Sequence, residues 1–174
     1  MGGRREGLPS LRWCGKDARR PRGGGSRRGW FRRLKGGLEV FLVHPGGPYF
    51  VKKDAGAWGI PKGECDRNEE PLVAARREFM EETGFLPEGE FLALGSVQQK
   101  SGKTVIAWAI EGDCDPEKLV SNTCKIEWPP RSGRLIEIPE VDRGRWFGMA
   151  EARACIRKEQ EALLDSLDAL VVRL

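Results

Sequence analysis

The sequence has little histidine and no long run of apolar residues. His44 is the only histidine among 174 residues, so a histidine-based metal site or a Ser-His-Asp triad has almost no material. A membrane-spanning helix needs about 20 apolar residues, and stretches such as Val105–Ile110 are far shorter. The N-terminus lacks the apolar core of a secretory signal. We therefore expect a soluble cytoplasmic protein without a membrane partner, in which any hydrolytic chemistry depends on carboxylates.

The cysteines also exclude a class of site. They are odd in number and widely scattered, namely Cys14, Cys65, Cys114, Cys124 and Cys155. No two of them have the two-residue spacing of a zinc knuckle or a redox motif. We therefore expect reduced thiols, as in cytosolic proteins generally.

The net charge of +4 hides an uneven distribution along the chain. Residues 1–36 hold twelve Lys or Arg against two acidic residues, whereas the rest holds 18 basic and 24 acidic residues. Such a basic tail could contact nucleic acid. A solvated, disordered extension is favoured instead, because the segment is rich in Gly, Pro and Arg. We therefore divide the chain into a basic leader, residues 1–29, and one folded domain, residues 30–174.

Hydrophobic periodicity predicts strands on both sides of one helix and a second helix at the end of the chain. Pro71 suits the first helical turn and Gly84 suits the stop after the last one. The predicted strands are Leu38–His44, a short piece at Tyr49–Lys52, Ala57–Gly63, Phe91–Gln99, Lys103–Glu111 and Cys124–Trp128, and the predicted helices are Pro71–Thr83 and Met149–Leu170. This order predicts an α+β fold, an α/β/α sandwich with a mixed sheet flanked by helices.

Three glutamates stand out in the first predicted helix. Glu78, Glu81 and Glu82 are spaced i, i+3 and i+4, which places them on one helix face. Carboxylates arranged in this way repel one another, and the helix dipole disfavours anions in the last turn. A cation should therefore lie against this face, and hard oxygen ligands favour magnesium or manganese over zinc.

The same segment matches the signature of the Nudix hydrolases without insertion. The matching residues are Gly63, Glu69, Arg77, Glu78, Phe79, Glu81, Glu82, Gly84 and Phe85. So many constrained positions within 23 residues are a specific signal. The chain therefore resembles a Nudix domain over about residues 36–150 and is expected to have the Nudix fold. Trp58–Glu64 resembles the version of this segment in nucleoside-polyphosphate and diadenosine-polyphosphate hydrolases.

The resemblance implies a Mg²⁺ cofactor, which Mn²⁺ can replace. Glu81 and Glu82 would be metal ligands, and Glu78 would be either a ligand or the base that activates water. Gly63 could offer its carbonyl oxygen to the metal. The metal would bridge phosphate oxygens and neutralise the charge that develops on them.

Other residues would support this site. The resemblance implies that Arg77 pairs with a glutamate, Glu69 being the candidate, and holds the loop against the helix. Lys62 would contact substrate phosphate. Gly84 would be a structural residue at the helix end.

Seven residues outside the signature are weaker candidates. Arg131 and Arg134, in a loop rich in Pro, Ser and Gly, could bind phosphate, with surface solvation as the equal alternative. His44 at a strand end is more often a bystander than a functional residue. Four tryptophans could include a ring that stacks on a base, although such rings usually pack in the core; they are Trp58, Trp108, Trp128 and Trp146.

Two places depart from the family pattern. Residues 26–33, where a first strand is expected, are poor strand material. Glu70 is a poorer helix N-cap than Ser or Asp. Neither change affects a proposed metal ligand.

The expected activity is hydrolysis of a phosphoanhydride bond in a nucleoside diphosphate linked to another group. Nucleoside triphosphates or dinucleoside polyphosphates are the favoured substrates, with ADP-ribose and other sugar nucleotides second. Removal of pyrophosphate from RNA 5′ ends and a non-catalytic nucleotide- or RNA-binding module are the alternatives. A small nucleotide is therefore the expected partner, nucleic acid is not favoured, and the sequence leaves the oligomeric state open.

Overall fold

The computed structural model describes residues 25–64, 69–98 and 104–172. These ranges contain eight strands and three helices, with short 3₁₀ turns at Pro116–Lys118 and Lys158–Gln160. The strands are β1 (Gly25–Leu34), β2 (Gly37–Pro45), β3 (Lys62–Glu64), β4 (Phe91–Gln98), β5 (Thr104–Glu111), β6 (Thr123–Glu127), β7 (Leu135–Pro139) and β8 (Val141–Gly148). The helices are α1 (Pro71–Thr83), α2 (Met149–Cys155) and α3 (Glu161–Val171).

Six of the strands form one mixed sheet. Its order is β4-β5-β1-β2-β8, and β3 pairs with the first residues of β1 outside that path. The pairing of β1 with β5 is parallel, whereas β1 with β2, β2 with β8 and β4 with β5 are antiparallel. A separate two-stranded sheet is formed by β6 and β7.

Helices cover both faces of the main sheet. Alternate residues of a strand point to opposite faces, so β1 and β2 each contribute side chains to two buried clusters. Phe31 and Leu42 belong to the buried cluster that contains α2 and α3 residues such as Leu163. Trp30 and Phe41 belong to a second cluster, which contains Phe79 of α1. The predicted α+β architecture, a mixed sheet between helices, is confirmed.

Strand β1 begins earlier than the sequence indicates. We expected ordered structure to begin near Trp30, because residues 26–33 are poor strand material. This expectation is wrong, since β1 already begins at Gly25. The strand has partners on both edges, and Phe31 at its centre is completely buried. Pairing and burial therefore override the weak local propensity of its arginines and glycines. Residues 1–24 lie outside the described ranges, and their disorder stays a prediction.

The C-terminal segment is not the single helix that its periodicity predicts. Helix α2 ends at Cys155, Ile156 has extended backbone angles, and α3 begins at Glu161. The backbone at the break bonds to Trp58 instead: the Trp58 N–H donates to the Cys155 carbonyl at 3.2 Å, and the Arg157 N–H donates to the Trp58 carbonyl at 2.9 Å. A partner from a distant part of the chain therefore replaces one turn of helix.

Smaller differences have local causes. Tyr49–Lys52 is a turn rather than an extended piece, closed by bonds from the Phe50 N–H to the Gly47 carbonyl and from the Lys53 N–H to the Phe50 carbonyl. Strand β7 was not predicted. The predicted turn at residues 100–102 lies outside the described ranges.

The described cysteines and helices bear on two expectations, namely reduced thiols and the absence of a membrane-spanning helix. Within the described ranges, Cys114 and Cys155 are free thiols. No helix of these ranges has both the length and the apolar character that a bilayer crossing requires.

Candidate active site

Helix α1 is fixed at both ends. The carboxylate of Glu70 accepts from the N–H groups of Leu72 and Val73, so this residue is an effective N-cap despite its low statistical preference. Gly84 has a left-handed φ of 74°, and its N–H donates to the Met80 carbonyl at 2.8 Å. A Cβ at this position would lie 3.1 Å from the Val120 carbonyl oxygen. The predicted structural role of Gly84 therefore has a geometric basis.

Glu82 is a buried carboxylate at the C-terminal end of α1. It is 3% exposed, and its Oε2 accepts from the Lys62 backbone N–H at 2.7 Å. The Lys62 ammonium lies 3.9 Å from its Oε1. Burial raises the pKa of Glu82 to about 7, the Lys62 charge and hydrogen bond oppose this change, and the charges of Glu140 and Glu78 add to it. The structure therefore holds a carboxylate where its negative charge is costly.

Arg77 links the remaining glutamates. Its Nε and Nη2 donate to the two oxygens of Glu69 at 3.1 and 3.0 Å, so the expected pair is present. Its Nη1 also donates to Glu78 at 2.8 Å and lies 3.3 Å from an oxygen of Glu81. The hydrogen bond with Glu69 is the largest cause that raises the pKa of Arg77 above its usual value. Part of the positive charge expected on this helix face is therefore Arg77 itself.

The donor set fits a hard divalent cation by its chemistry. Glu78, Glu81 and Glu82 offer carboxylate oxygens from one helix face, and the burial of Glu82 would be compensated by a nearby cation. In the part of the chain that the structure describes, no three potential ligand side chains converge at one point. Glu78 and Glu81 bond to Arg77, whereas Glu82 bonds to Lys62. An ion would therefore compete with Arg77 for two of its ligands.

A cavity of about 150 Å³ adjoins Glu82 and Lys62. Its walls are mostly apolar, with a few polar groups among them. The apolar and aromatic lining includes Val43, Tyr49, Phe50, Ile60, Ile126 and Ile138, and the polar lining includes Lys62, Glu82, Lys125, Glu140, Arg157 and Gln160. An apolar recess with a few polar groups is the usual form of a small-molecule site.

The structure brings some predicted site residues to this cavity and leaves others elsewhere. Lys62 and Glu82 line it, whereas Arg131 and Arg134 are exposed in the loop after β6 and are not among its lining residues. Gly63 lies in β3 opposite Ser26, and its role as a metal ligand stays a prediction. The phosphate-binding role of the two loop arginines also stays a prediction.

His44 is a structural residue. It is completely buried, with Nδ1 2.8 Å from an Asp142 oxygen and Nε2 2.8 Å from the Lys53 carbonyl oxygen. Its ring packs edge-on against Trp58. It therefore anchors the segment that carries Tyr49 and Phe50, and the bystander interpretation agrees with this geometry.

Several cavity residues were not identified from the sequence. Tyr49 and Phe50 were assigned to an extended piece, and Arg157 and Gln160 were hidden inside the predicted long helix. Glu140 lies outside the signature, between β7 and β8. None of these positions carries a local pattern that indicates a site, because the cavity forms only when distant segments meet. The rings at the cavity are Tyr49 and Phe50 rather than any of the four tryptophans considered.

Comparison with known proteins identifies the family. The family model described as NUDIX domain matches residues 29–167, which is most of the chain. The chain therefore belongs to the Nudix family, and the resemblance deduced from the signature is confirmed.

Three similar proteins illustrate the relationship. A putative mRNA-decapping protein of Acanthamoeba polyphaga mimivirus is 31% identical over 121 residues, which cover 69% of this chain and 31% of that protein. An RNA pyrophosphohydrolase of Bartonella henselae is 67% identical over 27 residues, 16% of each chain. The chain thus spans less than a third of either curated relative. The solved structure of a C. elegans Ap4A hydrolase binary complex has a TM-score of 0.63 at 19% identity and covers 86% of this chain and 99% of that chain, which shows a shared fold.

Proposed function

We propose that this chain is a divalent-metal-dependent pyrophosphohydrolase. Its substrate would be a nucleoside diphosphate joined to another group, with cleavage at the phosphoanhydride bond. The observation that carries the proposal is the buried carboxylate of Glu82, which lines a mostly apolar cavity together with Lys62 and Glu140. A helix with a purely structural role gains no stability from burying Glu82 near the charges of Glu78 and Glu140.

The metal site would use the carboxylates of α1. Glu78, Glu81 and Glu82 would hold Mg²⁺, or Mn²⁺ in its place, with the Gly63 carbonyl as a further ligand. The ion would supply positive charge to the phosphate oxygens as the anhydride bond breaks. Arg77, fixed by Glu69, would keep Glu78 and Glu81 on the correct side of the helix.

The protein groups would handle phosphate, water and proton. Lys62 would contact a substrate phosphate from the cavity wall. A water molecule would attack phosphorus, so that one P–O bond forms and the anhydride P–O bond breaks. Its proton would pass to a carboxylate, either Glu78 or Glu140, and the apolar wall formed by Ile60 and Ile126 would limit access of other water.

Nucleoside triphosphates and dinucleoside polyphosphates are the first candidate substrates. The Trp58–Glu64 segment resembles that of hydrolases acting on such compounds. ADP-ribose and other sugar nucleotides rank lower, and a binding-only module ranks last, because Glu78, Glu81 and Glu82 are all retained.

RNA with a 5′ triphosphate is a second candidate, because the names of both curated relatives refer to RNA. The basic N-terminal segment would support RNA binding. Removing residues 1–24 and measuring RNA affinity at several salt concentrations would test that support. Unchanged affinity and an unchanged salt slope would argue against a role of the segment. The cytoplasmic location expected from the sequence remains part of this proposal.

A substrate panel tests the proposed activity. Purified protein with Mg²⁺ would be given ATP, GTP, diadenosine tetraphosphate, ADP-ribose and 5′-triphosphorylated RNA, with products separated by chromatography. Reaction in ¹⁸O-water would locate the attacked phosphorus. We expect hydrolysis of at least one compound that stops when the metal is chelated. Absence of hydrolysis across the whole panel would contradict the proposal.

A further inference from the structure

The break between α2 and α3 places two hydrogen-bond donors at the cavity. Arg157 and Gln160 both line it. The Gln160 N–H donates to the Arg157 carbonyl at 2.8 Å, which closes a 3₁₀ turn. Both side chains also bond to one short stretch of chain, since the Arg157 Nε donates to the Ala57 carbonyl and the Gln160 Oε1 accepts from the Ile60 N–H. The side chains of Arg157 and Gln160 therefore belong to one end of the cavity.

The orientation of the Gln160 amide is fixed by chemistry. Its Oε1 accepts from the Ile60 backbone N–H at 2.9 Å, and a backbone N–H can only donate. The Nε2 must therefore be on the other side, where it is buried and has no hydrogen-bond partner. A buried donor without an acceptor is costly. Gly59 allows this arrangement, since a Cβ there would lie 3.1 Å from Nε2.

Arg157 provides the second donor. Its Nε donates to the Ala57 carbonyl at 3.3 Å, and its guanidinium carbon lies 5.6 Å from the centre of the Phe50 ring. No carboxylate of the described ranges lies within ion-pair distance of the Arg157 guanidinium, although the charges of Glu159 and Glu82 act on it from farther away. Arginine has no acceptor atom. This end of the cavity therefore presents hydrogen-bond donors, which a ligand with acceptor atoms would satisfy.

We propose that Arg157 and Gln160 recognise the acceptor edge of a 6-oxopurine, guanine or hypoxanthine, and discriminate against adenine. Guanine presents two adjacent acceptors, O6 and N7, whereas adenine presents an amino donor beside N7. An arginine fork matches the first edge and not the second. Tyr49 and Phe50 supply flat faces for the base at the same cavity. This inference deepens the proposed function and rests on it for the identity of the ligand as a nucleotide.

Binding of nucleoside monophosphates without metal tests the inference apart from catalysis. IMP and AMP differ at position 6, the group in question, so their dissociation constants would be compared by calorimetry. We expect IMP to bind about tenfold or more tightly than AMP. Equal affinities, or no binding of either, would overturn the inference.

Two variants of Gln160 locate the selectivity. Gln160→Glu keeps an oxygen for the Ile60 N–H and replaces the donor with a second acceptor. Because this carboxyl would donate again if it took up a proton, Gln160→Met, which has no donor in any protonation state, is the second variant. Each should bring the AMP-to-IMP ratio of dissociation constants towards one, with folding checked by thermal melting. Gln98→Glu, on the exposed end of β4, is the matched control and should keep the ratio. An unchanged ratio in both Gln160 variants would overturn the inference.

The experiments distinguish a failure of the hydrolase proposal from a failure of the base-recognition proposal. Selective binding of IMP without hydrolysis of any compound in the panel would contradict the hydrolase proposal and leave base recognition supported. Metal-dependent hydrolysis of ITP and ATP with equal kcat/KM would support the hydrolase and overturn the base recognition.

Discussion

Helix α1 and the C-terminal segment 149–172 have similar apolar periodicity but different structures. Helix α1 runs unbroken from Pro71 to Thr83 between its two caps. The C-terminal segment is interrupted after Cys155, because its backbone bonds to Trp58. Periodicity describes which side chains face the core, and it contains no information about a backbone partner almost 100 residues away. The comparison also separates two functions: α1 supplies the carboxylates, whereas the interruption supplies Arg157 and Gln160.

The largest effect should come from α1. Glu82→Gln keeps an acceptor for the Lys62 N–H and removes the charge, so kcat should fall by at least about a hundredfold. The melting temperature should not fall, since the variant relieves the burial of a charged group. Steady-state kinetics and thermal melting measure the two effects. Glu88→Gln, an exposed residue after the helix, is the control, and near-normal turnover of Glu82→Gln at saturating Mg²⁺ would contradict its role.

Removing the centre of the ion-pair network should have the next largest effect. Arg77→Ala releases Glu69, Glu78 and Glu81 together, so kcat should fall about 10- to 100-fold through misplacement of the carboxylates. Some loss of thermal stability should accompany it, because one cation holds three acids. The neighbouring exposed Arg76→Ala is the matched control. If both variants behaved alike, the network would have no special role.

At the interruption, the effect should appear in binding rather than in turnover. Arg157→Met should raise the KM for a 6-oxopurine nucleotide about tenfold and change kcat little, because the proposed role of the side chain is to contact the base. Lys158→Met, at an exposed position, provides the comparison. A large fall in kcat with an unchanged KM would move Arg157 from recognition to the reaction itself.

The smallest effect should come from Gly59. In Gly59→Ala, the new Cβ would press on the Gln160 amide at 3.1–3.2 Å, so the amide should shift by a few tenths of an ångström. We expect the preference for IMP over AMP to weaken about two- to fivefold. Gly36→Ala, where a Cβ meets nothing within 4 Å, should leave the preference unchanged. A full loss of folding would show that Gly59 has a wider structural role.

The parts predicted from the sequence are those with local signals. The spacing of Glu78, Glu81 and Glu82 and the end of α1 at Gly84 follow from residues close together in the chain. The pair of Arg77 with Glu69 was implied by the family signature, whereas the effective N-cap at Glu70 was not expected. The central strand β1 and the interruption after α2 depend on partners far away in sequence. Local patterns therefore located the carboxylates, whereas the opposite wall of the cavity required the assembled fold.

The positive charge expected beside the three glutamates of α1 comes partly from the protein itself. Mutual repulsion of the three glutamates was taken to require an external cation, yet Arg77 already bonds to two of them. Glu82 is the residue that this guanidinium does not neutralise within the described contacts, and it is also the buried one. Glu82 is therefore the carboxylate of this face that most needs the charge of a metal ion.

Titration of the protein with Mn²⁺ tests this central claim most directly. Binding would be followed by calorimetry and water-proton relaxation in the wild type, in Glu82→Gln and in the control Glu88→Gln. We predict saturable binding in the wild type and the control, weakened about tenfold or more by Glu82→Gln. Absence of saturable binding, or equal binding in all three proteins, would contradict a divalent-metal site at this face of α1.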